Sequence, residues 1–113
     1  MIRSALLCAF GLLVASPAAF AGLVDLNNAS RQNKTYYCAY YVVMEAQIEL
    51  RMGVIDQAEF NDTRNAMSWE VSRGFSGNVG HKLDRAGREI LEAEPTVQEI
   101  RAAAAECRVF LRR

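Results

Sequence analysis

What this chain lacks narrows its chemistry sharply. His81 is the single histidine among 113 residues, and no carboxylates and cysteines around it have the spacing of a zinc site. The Glu-x-x-His pattern of di-iron bundles is absent, as is the C-x-x-C-H attachment sequence for covalent haem. No serine stands in a G-x-S-x-G turn, so there is no nucleophile elbow. Neither sign of charge is in excess, with 13 Lys and Arg against 13 Asp and Glu, and nucleic-acid binding asks for a basic footprint. The longest apolar run spans only residues 5–15, short of the roughly 20 residues that cross a bilayer. These absences predict no enzyme, no cofactor, no metal site, no nucleic-acid partner and no membrane span.

What is present begins with an export signal. Met1 and Arg3 form a short basic start, Ala5 to Ala15 an apolar stretch broken only by Gly11, and Ala19-Phe20-Ala21 an A-x-A cleavage site. The expected division is a signal peptide over 1–21 and one domain over 22–113, in the periplasm or outside the cell. Removing the leader removes Cys8, which lacks the small preceding residues of a lipidation site, and leaves Cys38 and Cys107 as a pair in an oxidising compartment. A Cys38–Cys107 disulfide is therefore expected. Closing a loop of about 70 residues would stabilise the fold by about 4 kcal/mol in the chain-entropy model, a large share for so small a core.

Punctuation divides the domain into four helices. The first, α1 (33–52), contains no proline or glycine; Asn28, Ser30 and Asn33 are alternative N-caps and Gly53 stands where the chain must turn out. Asp56 and Glu59 form a capping box for α2 (57–73). A glycine-rich stretch precedes α3 (79–93), which ends before Pro95, and Thr96-Val97-Gln98-Glu99 is a capping box for α4 (97–111). Residues 22–32, polar and unpatterned after Leu26, read as a loose leader into α1. No segment keeps a strand period, so the fold class is all-α, a small four-helix bundle-like domain.

Helical spacing then assigns faces. In α4, Ile100, Ala103, Ala104, Cys107 and Leu111 share a stripe; in α2, Phe60, Met67 and Val71; in α3, Val79, Leu83, Ala86, Gly87 and Ile90. The small pair Ala86-Gly87 would admit a close neighbour. Helix α1 has two apolar faces, one with Tyr37, Tyr41, Met44, Ile48 and Met52, the other with Tyr36, Ala39, Val43 and Leu50. Such a helix is either central, wrapped by the others, or turns its second face to a partner.

The Tyr36-Tyr37-Cys38-Ala39-Tyr40-Tyr41 block is the most distinctive composition. One reading packs Tyr37 and Tyr41 around the disulfide and leaves the others half exposed. The other makes Tyr36, Tyr40, Val43 and Leu50, with the off-stripe Trp69, a partner face or a homodimer contact through α1. A second candidate is an anion site at the glycine-rich loop, from Arg73, Gly77, Gly80, His81 and Lys82, although its spacing matches neither a P-loop nor a dinucleotide fingerprint. Haem held by His81 with Met44, Met52 or Met67 is the weaker reading of residues that usually form core. If α1 and α4 are antiparallel, Glu45 and Glu49 face Arg101 or Arg108. Asn28, Asn33 and Asn61 begin formal glycosylation sequons, which matter only on a eukaryotic export route.

The functional expectation is a small periplasmic or secreted protein that acts by binding another protein, as an inhibitor, immunity factor or stress chaperone does. The alternative is a module for a small apolar or anionic ligand.

Overall fold

A computed structural model of the chain describes residues 26–73 and 79–112. The predicted signal peptide, its cleavage site, the loop residues 74–78 and the side chain of Val79 lie outside the described residues. The described chain is all-helical: α1 is Arg31–Arg51, α2 Gln57–Arg73, α3 Val79–Glu92 and α4 Val97–Leu111.

Each observed boundary has a local cause. Ser30 wins the competition to cap α1, its Oγ accepting from the Asn33 backbone N–H at 3.2 Å, so the helix begins two residues before the expected start. At the other end Gly53 takes φ +76°, the Gly53 N–H reaches the Leu50 carbonyl at 3.1 Å and the Val54 N–H reaches that of Glu49 at 2.9 Å. This is a Schellman closure, and it needs the left-handed backbone that glycine adopts without a Cβ penalty. The box before α2 is reciprocal: Glu59 N–H donates to Asp56 Oδ1 at 2.8 Å and Asp56 N–H to Glu59 Oε1 at 3.0 Å. Thr96 and Glu99 repeat it at α4, with bonds of 3.1 and 2.8 Å. Between α3 and α4, Glu94 takes φ 51° ahead of Pro95.

Helix α1 is the axis of the domain. It packs against α2, α3 and α4, whereas no other pair of helices makes more than marginal contact. Its two apolar faces are both used. One, with Cys38, Tyr41 and Val42, joins Ala103, Ala104 and Cys107 of α4, Ile90 of α3 and Leu26 in the main core. The other, with Tyr36 and Ala39, meets Val71 of α2 and Ala86 of α3 in a second cluster. Leu26 is thus anchored in the core, a correction to the loose leader expected over 22–32, because one apolar side chain is enough to dock that segment.

The Sγ atoms of Cys38 and Cys107 lie at disulfide distance, 2.15 Å, with their Cα atoms 5.0 Å apart. That approach puts the start of α1 beside the end of α4 and makes the two antiparallel. The paired alanines Ala103 and Ala104, both buried, let the backbones come this close. Further along the same seam Arg108 pairs with Glu45, and Arg101 lies 3.9 Å from Glu45 and 3.6 Å from Glu49. The Glu45 side chain is only 8 % exposed, and these cations give its buried carboxylate charged partners.

Candidate partner groove and charged cleft

The structure separates the tyrosines differently from either sequence reading. Tyr41 is buried beside the cysteine pair, as expected, but the second buried ring is Tyr36, at 1 % exposure, against Ala39, Val71 and Ala86. Tyr36 therefore offers no surface to a partner, which corrects its place in the candidate face. The cause is the covering of that side of α1 by α2 and α3 together. Tyr37 stays half-buried and donates its hydroxyl to both oxygens of Glu89, at 2.9 and 3.0 Å. Burial, that hydrogen bond and the Glu89 charge together push the Tyr37 pKa above its ordinary value, with Arg85 opposing them.

Tyr40 packs the hydroxyl end of its ring against Gly87, where a Cβ on residue 87 would overlap it. The small pair on α3 thus admits a side chain of α1 at close range. From there a groove opens between α2 and α3, floored by Ala39, Tyr40 and Val43 and walled by Arg64, Met67, Ser68 and Leu83, with a volume of ≈ 190 Å³. It exists because α2 and α3 both rest on α1 without closing on each other. Only Arg64 brings charge to it, and its guanidinium sits 5.8 Å from the Phe60 ring centre. Of the other candidate residues, Leu50 is half-buried on α1 away from this lining, and Trp69 is 69 % exposed on α2, next in sequence to the groove residue Ser68.

Four of the five residues expected at the loop anion site, Arg73, Gly80, His81 and Lys82, are among the described residues. Gly77 lies outside them, Arg73 is exposed and engaged by Glu70 at 3.0 Å, and Gly80 and His81 are exposed at the start of α3. Lys82 instead lines a second cleft, of ≈ 470 Å³, between α1 and α3, where Asn33, Tyr36, Tyr37 and Ala86 meet Arg85, Arg88, Glu89 and Glu92. Sequence reasoning missed this cleft because its charged residues resemble any solvated helix face; the i, i+3 recurrence of Lys82, Arg85 and Arg88 was the available signal.

For metal or haem, the geometry adds little. No group of three His, Cys, Asp or Glu among the described residues is placed to hold a metal ion. Met52 is exposed and its sulfur accepts from Arg101 at 3.7 Å, while Met67 belongs to the groove. No helix among the described residues is long and apolar enough to cross a membrane. Compared with known proteins, the chain matches no family model, no curated protein and no solved structure.

Proposed function

We propose that the protein is exported and acts by binding another protein, in the manner of an inhibitor, immunity factor or stress chaperone, with the groove between α2 and α3 as the contact. The observation that supports this most is the groove itself: an open, largely apolar depression between two helices that both rest on α1. Its chemistry defines the partner. An apolar side chain would seat on Tyr40, Val43, Met67 and Leu83, and an adjacent carboxylate would meet Arg64, which forms no ion pair among the described residues. Trp69 on the flank is the residue type that most often anchors such contacts.

The test uses substitutions at exposed positions, which spare the core. Ser68→Arg fills the groove and Trp69→Ala removes the flank. The complex that the mature wild-type protein forms in its native extract should be lost with Ser68→Arg and weakened roughly thirtyfold with Trp69→Ala, since such an anchor contributes about 2 kcal/mol or more. Unchanged recovery with both variants contradicts the proposal. Sedimentation of the purified protein separates a foreign partner from a second copy of the chain.

A further inference from the structure

We propose that the cleft between α1 and α3 binds a small multivalent oxyanion through Lys82, Arg85 and Arg88. It lies apart from the α2–α3 groove and stands or falls independently of it. Its volume of ≈ 470 Å³ suits a small molecule rather than a single ion. The three cations line one wall at i, i+3 spacing, extending about 9 Å along the helix.

The central observation is that the three cations make no direct ion pair, although Glu89 and Glu92 line the same cleft. Arg85 and Glu89, like Arg88 and Glu92, stand at the i, i+4 spacing where opposite charges commonly pair. Yet among the described residues none of Lys82, Arg85 and Arg88 forms an ion pair or a hydrogen bond. Glu89 is turned toward α1, where its two oxygens accept from the Tyr37 hydroxyl. Glu92 sits about 6 Å beyond Arg88 along the axis, so the positive wall lies toward the 82–88 end.

Like charges one turn apart repel, and an anion between them removes that repulsion. Guanidinium forks donate to carboxylate and phosphoryl oxygens alike, so the shared chemistry is a compact molecule carrying two or more anionic groups.

Calorimetric titration at low ionic strength tests this, with citrate as the carboxylate probe and inorganic pyrophosphate as the phosphoryl probe. Saturable one-to-one binding of at least one is expected, weakened about tenfold or more by Arg85→Ala and by Arg88→Ala. Arg51→Ala, at an exposed position on the far end of α1, should leave it unchanged. Which probe binds identifies the anionic group. Arg85 and Arg88 are exposed, so helix content should persist in their variants, as circular dichroism will show. Absence of saturable binding by both probes, or equal weakening by Arg51→Ala, overturns the proposal.

Discussion

Two contacts between α1 and α3 show how single residues set the spacing of helices. Gly87 is buried, and the Tyr40 ring occupies the space a side chain there would need. Overpacking costs about 1–3 kcal/mol, whereas alanine in a helix interior gains about 1 kcal/mol over glycine. Gly87→Ala should therefore be neutral to destabilising by up to about 2 kcal/mol, and Gly87→Leu clearly destabilising, as the urea midpoint will read. A stabilised Gly87→Leu would mean that Tyr40 does not sit there. The other contact, Tyr37 to Glu89, carries a pH signature. With its folded pKa raised above the ordinary value near 10, Tyr37 contributes stability that is fully present below that pH and is lost as pH rises through the folded pKa. Tyr37→Phe should be less stable than wild type near neutrality, with the gap closing in alkaline solution; a gap constant with pH would count against the bond.

Between elements, the α1–α4 seam concentrates both covalent and ionic links. Glu45 is nearly buried, so Arg108→Ala leaves its carboxylate with only the longer contact to Arg101 and should cost about 1–3 kcal/mol. A double-mutant cycle of Glu45→Gln with Arg108→Ala should show coupling above the ~0.5 kcal/mol usual for an exposed helix pair. Coupling near zero would make the pair incidental. The cysteine pair closes a loop of 69 residues, and replacing both with alanine should lower stability by about 4 kcal/mol in the chain-entropy model. Equal stability of the oxidised protein and the double variant, measured by denaturant unfolding, would contradict a constraining role for the bridge.

At the scale of the molecule, the fold is one long helix used on both faces. Helix ends were legible in the sequence because capping is local: Asp56 with Glu59, Thr96 with Glu99, and Gly53 all act within a few residues. The two faces of α1 were legible as well, along with the possibility that other helices wrap it. Which helix covers which face was not, since that depends on contacts far apart in sequence. Tyr36 and Tyr37 illustrate the difference: adjacent and chemically identical, one is buried under α2 and α3 while the other stays half-buried with its hydroxyl on Glu89. The α2–α3 groove was foreshadowed by Tyr40 and Val43, but its walls, Arg64, Met67, Ser68 and Leu83, converge only when two helices lean on a third.

The claim that this groove is where the protein meets its partner is tested most directly by photo-crosslinking in the native extract. A photoreactive residue would be placed in turn at Ser68 in the groove and at Val109, which is 50 % exposed on α4. The account predicts a discrete protein adduct from position 68 and none from position 109. Adducts from position 109 alone, or equally from both, would contradict it.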